Sequence, residues 1–137
     1  MNDQQRQELI TYRIEKAKEA LNEAKSHIQN EFWNSAVNRL YYSCFYAVSA
    51  LLASKQIYAK THLGIRQMFA LHYVKPGIIS NEAGKFYTTI FDMRHTGDYT
   101  DFIILEKKDV IELLGPATGL IVRIEEILST KLYLHNL

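Results

Sequence analysis

The chain predicts an all-α fold, an antiparallel up-and-down bundle of about five helices. Three observations carry this expectation. Among 137 residues there are only six glycines and two prolines, too little turn punctuation for many short strands. Ile10, Ile14, Ala17, Leu21, Ala24 and Ile28 alternate spacings of four and three, the period of one helical face. The run from Leu40 to Val48 is apolar or aromatic on nearly every side, as in a helix that is covered all round.

The length suits one domain, assigned to residues 1–130, with 131–137 as a flexible C-terminal tail. A content of 47% hydrophobic and 23% charged residues excludes a disordered chain. With a formal charge of +1, affinity for nucleic acid has to come from a local patch. The single cysteine, Cys44, forbids an intrachain disulfide, and its apolar surroundings mark it as a buried small hydrophobe. Residues Met1 to Glu8 are polar and carry no signal-peptide core. The stretch Leu40 to Ala53 is interrupted by serines and too short to span a bilayer. A soluble, cytoplasmic protein without membrane contact is expected.

The first helix carries the Ile10–Ile28 stripe, with Lys16, Lys18, Glu19, Glu23 and Lys25 on its solvated side. Asn30 is expected to cap the second helix, from about Phe32 to Ser54, with Glu31 in its first turn. That helix is central, and a second subunit is one source of its covering. Its tyrosines are read as core and interface packing, with their hydroxyls at the wet edge. Thr61 caps a short third helix bearing Leu63, Ile65, Met68, Phe69 and Leu71, and His62 and His72 flank it as surface or capping histidines.

Lys75-Pro76-Gly77 is the clearest break in the chain. Ser80 caps the fourth helix, with Glu82 in its first turn. Phe86, Ile90 and Met93 mark its buried side, with Tyr87, Phe91 and Arg94 on a neighbouring stripe and Gly97 at its end. Asp109 with Glu112 resembles a capping box opening the fifth helix, and Gly115-Pro116 is expected to kink or interrupt it.

Phe91 to Tyr99 concentrates the groups capable of chemistry. No glycine-rich phosphate loop, cysteine pair or His-Glu-x-x-His is present. Asp92, His95, Asp98 and Asp101 stand three apart, but a helix break at Gly97 would prevent them from lining up on a metal, so no metal site is assigned.

Three segments carry a resemblance. They are Asn34-Ser35-Ala36-Val37-Asn38-Arg39-Leu40-Tyr41-Tyr42, then Thr61-His62-Leu63-Gly64, then Arg94 followed by Asp98-Tyr99-Thr100-Asp101-Phe102. In this order and spacing the chain resembles the HEPN superfamily, in its small stand-alone branch, from the first helix to about Leu128. The resemblance implies a helical bundle that pairs as a homodimer, the arginine motifs of both subunits meeting in a cleft. Active members cleave RNA without metal, using an arginine followed four to six residues later by a histidine. The arginine grips the scissile phosphate and steadies its charge. The histidine moves a proton during attack by the ribose 2′-hydroxyl.

Here Tyr99 stands five residues after Arg94, and no histidine occurs at the matching distances. Some branches of the family carry Asp-Tyr at this place. His95 directly follows the arginine, ~100° around the helix and so turned away from the slot. With a pKa of about 10, a tyrosine is a poor base near neutrality. The expected site is therefore Arg94 on a phosphate and Tyr99 hydrogen-bonding a nucleotide, with Asp98 in support and neither cofactor nor metal. The plainer alternative pairs Arg94 with Asp98, Asp92 or a carbonyl and makes Tyr99 a loop anchor.

The resemblance thus points to an RNA- or nucleotide-binding homodimer of a toxin–antitoxin or nucleotidyltransferase-associated module, with metal-independent ribonuclease activity. A second reading is a non-catalytic partner of a small nucleotidyltransferase, with Tyr99 as an acceptor of adenylyl groups. A third is a plain helical interaction module.

Overall fold

The computed structural model describes residues 1–99 and 104–136, and for 96–99 and 131–136 the backbone alone. Among the described residues there are five α-helices and no strand. Helix α1 spans Asp3–Gln29, α2 Trp33–Ser54, α3 His62–Phe69, α4 Asn81–Tyr99 and α5 Lys107–Asn136. A π-helical turn, Ala70–Val74, continues α3 without a break. None of these helices is long and apolar enough to cross a membrane.

Helix α2 lies at the centre because its sequence leaves it no polar side. Leu40, Tyr41, Cys44, Ala47, Val48, Leu51 and Leu52 are all fully buried. Around it are α1, α3, α4 and α5, of which α1 makes the most extensive contact. The α1 stripe supplies Ala17, Leu21 and Ala24 to that contact, and its small side chains let the two helices approach closely. Across α5, Val110, Leu113, Ala117, Leu120, Ile121 and Ile124 complete the cover. Burial pushes the Cys44 thiol up to about 12, which suits a packing residue and not a nucleophile.

Several boundaries follow the sequence. Thr61 Oγ1 accepts from the Gly64 N–H at 2.9 Å, and Ser80 Oγ from the Ala83 N–H at 3.1 Å. Gly77 has φ 84°, a value open to glycine, in the turn between the π-helical segment and α4.

Others differ. Asn30 does not start α2; it closes α1, its amide donating to the Ser26 carbonyl at 2.9 Å. Glu31 takes φ 61° outside any helix, and α2 begins at Trp33 with no side-chain cap. Asp109 sits inside the first turn of α5, where its carboxylate accepts from the Glu106 N–H at 2.9 Å. The side-chain cap that forms is thus between Glu106 and Asp109, one turn earlier than Asp109–Glu112.

Gly97 does not end α4, which continues to Tyr99. A glycine inside a helix costs about 1 kcal/mol, which packing of the preceding turns can outweigh. Nor does Gly115-Pro116 interrupt α5, which carries Pro116 within it while Ala117, Leu120 and Ile121 stay buried. The segment from Lys131, read from the sequence as a tail, falls within the helical bounds of α5 as far as Asn136. On α4 the buried stripe is Tyr87, Ile90 and Phe91, with Phe86 and Met93 at its margin, one position round from the expected register.

Two glycines separate packing from propensity. A Cβ on Gly84 would meet Val74 Cγ1 at 2.8 Å, whereas one on Gly119 meets nothing within 4 Å. Gly84→Ala should destabilise the fold by about 1 kcal/mol, because the stiff valine has to move. Gly119→Ala should stabilise it by roughly 0.5–1 kcal/mol. Thermal denaturation of both variants checks the opposite signs.

Candidate functional site

The stripe Tyr87, Ile90, Phe91 reaches position 94 one turn further along α4, so Arg94 is carried onto the face that meets α2. Its half-buried guanidinium lies over two rings of α2, the central carbon 5.2 Å from the Tyr42 centroid and 5.9 Å from that of Tyr41. Nη2 donates to the Tyr42 hydroxyl at 3.1 Å. A second guanidinium, that of Arg39 three residues before Tyr42, is 5.0 Å from the same ring and 3.9 Å from the Glu23 carboxylate. Aromatic rings attract cations by about 0.5–2 kcal/mol without neutralising them.

A histidine comes from another helix. His62 opens α3, where the Thr61 cap fixes the backbone. Its ring stacks on Phe45 with centroids 4.3 Å apart and planes at 11°. Nδ1 lies 2.8 Å from the Tyr41 hydroxyl. Burial pushes the Tyr41 phenol up to about 12, so it stays neutral and can donate to Nδ1 or accept from it. In either sense Nε2 is the ring nitrogen left for a ligand. Burial first, then His95 and Arg94, hold His62 below its ordinary value of 6.5, which keeps it neutral at pH 7.

His95 joins the same cluster. Its ring stacks on Phe91 at 4.0 Å, and its Nδ1 is 2.8 Å from the Phe91 carbonyl, an oxygen that can only accept. The proton therefore sits on Nδ1 when the ring is neutral, leaving Nε2 as an acceptor. The two imidazole centroids are 5.9 Å apart, and His95 is 5.7 Å from the Tyr41 ring. The rotation of ~100° from Arg94 thus does not remove His95 from the site, because the Tyr41 ring underlies both positions.

Of the other expected site residues, Asp98 and Tyr99 close α4, and their side chains lie outside the described residues. Thr100, Asp101 and Phe102 also lie outside them. Asp92 meets Arg66 at 3.6 Å, and the Arg66 guanidinium covers the Phe91 ring at 4.5 Å. Among the described residues no group of three His, Cys, Asp or Glu side chains is placed to hold a metal.

His62 is the residue that spacing after the arginine could not find, since it precedes Arg94 by 32 positions. Its membership of the Thr61-His62-Leu63-Gly64 segment was the available signal. What the fold does is bring the three segments of the resemblance together: Arg39, Tyr41 and Tyr42 from the first, His62 from the second and Arg94 from the third.

Comparison with known proteins bears out the family resemblance that these segments carry. The family model described as HEPN domain matches residues 10–127. A UPF0332 protein of Thermotoga maritima is 38% identical over 125 residues, which is 91% of this chain and 95% of the relative. A Methanocaldococcus jannaschii protein bearing the name "Putative toxin MJ0142" is 37% identical over 101 residues, covering 74% of this chain and 69% of its own length. A UPF0332 protein of Pyrococcus horikoshii is 35% identical over 81 residues, 59% of this chain and 57% of the relative. With a domain match over most of its length and relatives of this kind, the chain belongs to the HEPN domain family.

Proposed function

We propose that the chain is an RNA-directed HEPN protein of toxin–antitoxin type, which cleaves single-stranded RNA without metal as a homodimer. The observation that supports this best is the meeting of the Arg94 guanidinium with a neutral, partly exposed imidazole over one pair of tyrosines. Arg94 holds a phosphate oxygen of the scissile diester and stabilises the charge that builds on it. An imidazole takes the proton of the ribose 2′-hydroxyl as that oxygen attacks phosphorus. The bond from phosphorus to the 5′-oxygen breaks, and a protonated group returns a proton to the leaving oxygen. In this reading His62 does the work that the motif histidine does in active relatives, with His95 beside it as the second imidazole. Tyr99 and Asp98 contribute nucleotide contacts from the end of α4, and pairing of two chains supplies a second copy of the set.

A second reading gives the chain a small nucleotidyltransferase as partner and makes Tyr99 the acceptor of an adenylyl group. The tyrosine that closes α4 five residues after Arg94, where active relatives carry histidine, favours it. Intact-mass measurement after co-expression with such an enzyme distinguishes the two: an added adenylyl group mapped to Tyr99 supports the partner reading, and an unmodified chain removes it.

Cleavage of single-stranded RNA in the presence of a chelator is the direct test. Arg94→Ala should lower kcat/KM by about 10²–10³-fold and His62→Ala by about 10²–10⁴-fold. Undiminished cleavage in folded Arg94→Ala would falsify the site.

The pH dependence follows from the depressed His62 value. As a base, His62 has to be neutral, so the acid limb of kcat/KM should lie below pH 6.5 and should be lost in His62→Gln. Stability moves in the same direction. Above pH 6.5 the ring is neutral in both states; below it the unfolded chain takes up the proton that the folded site resists, and stability falls. Chemical denaturation at pH 7.5 and 5.5 should show a smaller loss in His62→Gln than in the parent chain.

A further inference from the structure

Beside His62, and not lined by Arg94, lies a cavity of about 240 Å³. Its walls come from four places in the chain: Arg13 of α1, Tyr46 and Ser49 of α2, Lys60 in the connector, and His62 at the start of α3. No function described so far uses it.

Its chemistry is cationic and incomplete. Arg13 is half-buried, and its Nη1 donates to the Ser49 carbonyl at 3.2 Å. Among the described residues no carboxylate lies within ion-pair distance of Arg13 or of Lys60. Burial draws the Arg13 value down, and the one opposing influence is Tyr58, a neighbouring phenol in the cavity wall and not a carboxylate. A guanidinium taken partly out of water and given no counter-charge is a group that an anion would complete.

Ser49 is the second, independent sign. Three serines punctuate the C-terminal part of α2 and its middle. Ser43 donates to the Leu40 carbonyl at 2.7 Å and Ser54 to that of Leu51 at 2.6 Å. Ser49, only 4% exposed, has a hydroxyl with no protein partner. A desolvated hydroxyl without a partner is uncommon, and what fills the cavity beside it is the natural source of one. The start of α3 adds backbone N–H groups at 62 and 63 that the helix itself does not use.

We propose that this cavity is a phosphate-binding subsite, which receives the phosphate next to the one at Arg94 when the ligand is a single-stranded polynucleotide. Arg13 and Lys60 supply the charge, and Ser49 and the start of α3 supply neutral donors. The volume is below the roughly 300–1,000 Å³ of sites for whole small molecules, and suits a phosphate with part of its sugar. His62 forms a wall of the cavity and belongs to the Arg94 cluster, so one imidazole separates the two anion positions. The assignment to a neighbouring nucleotide rests on the reading of Arg94 as a phosphate ligand. The binding of phosphate in the cavity does not.

Nuclear magnetic resonance of the full-length isotope-labelled chain provides the test, titrating inorganic phosphate and then a 2′-O-methyl oligouridylate that cannot be cleaved. Phosphate should shift the Arg13 Nε–H and the amides of Ser49 and His62. Arg13→Gln should abolish those shifts while the Arg94 Nε–H still responds, and Arg94→Ala should do the reverse. Ser49→Ala removes a hydroxyl that holds nothing in the protein, so it should fold normally and weaken the phosphate response several-fold. With the oligonucleotide, loss of one phosphate contact in Arg13→Gln should reduce the slope of log Kd against log salt by about 0.7.

Responses at Arg94 with the cavity silent, or an unchanged salt slope in Arg13→Gln, overturn this proposal and leave the Arg94 reading standing. Responses in the cavity with Arg94 silent support the phosphate subsite and overturn that reading instead. Silence at both overturns both.

Discussion

The rest of the structure depends on the need to cover α2 on every side. Leu40, Val48, Leu51 and Leu52 are fully buried, and each contributes roughly 1.5–3 kcal/mol only while neighbouring helices keep water away. That requirement recruits α1 and α5 to one part of its circumference and α3 with α4 to another. The functional geometry is a consequence. Tyr41 is 0% exposed, yet its hydroxyl reaches the His62 ring, and Tyr42 in the next position points its hydroxyl at Arg94. Adjacent residues on a helix face directions ~100° apart, so two neighbouring tyrosines can serve two different helices at once.

The charge distribution fits a protein whose net charge is only +1. Arg39 and Arg94 share the Tyr42 ring, while Arg66 covers Phe91 and pairs with Asp92. A ring face and a carboxylate both hold a guanidinium, but with different results for an incoming anion. A carboxylate offsets part of the charge, as Glu23 does at 3.9 Å from Arg39 and Asp92 at 3.6 Å from Arg66, whereas a ring face attracts the cation without neutralising it. Stacking also lowers the entropy lost when a long side chain is fixed on a ligand. Local positive potential can thus coexist with a nearly neutral chain, which is the form that the proposed nucleic-acid affinity would take.

How much of this was legible in the sequence depended on distance along the chain. Where the signal and its effect lie within one turn, as in Thr61 with Gly64 or Ser80 with Ala83, it could be read directly. Asn30 was misread because a three-residue connection leaves one polar residue eligible for either neighbouring helix. Gly97 and Pro116 are local breakers overruled from outside, by the buried turns that precede Gly97 and by the buried residues on both sides of Pro116. Arg94 stands out as a candidate from its motif. That His62 and His95 share its surroundings was not legible there, because the contact is set by how α3 and α4 pack on Tyr41, and no spacing rule encodes it.

In the proposed cleavage, an imidazole on α3 instead of at the end of α4 changes what must be rigid. A histidine in the last turn of a helix relies on that helix end for its orientation, and helix ends fray. His62 is fixed from three sides: Phe45 stacks on one face, Tyr41 holds Nδ1, and the Thr61 cap anchors the backbone at its own residue. Short as it is, α3 is pinned by buried Ile65 and Phe69, and the π-helical turn beyond it by fully buried Tyr73, whose hydroxyl donates to the Leu51 carbonyl at 3.1 Å. Each anchor leads back to α2. The sub-ångström placement that proton transfer would demand in the proposed reaction is therefore supplied by the core helix, and the end of α4, where Asp98 and Tyr99 stand, would be left to contact the ligand.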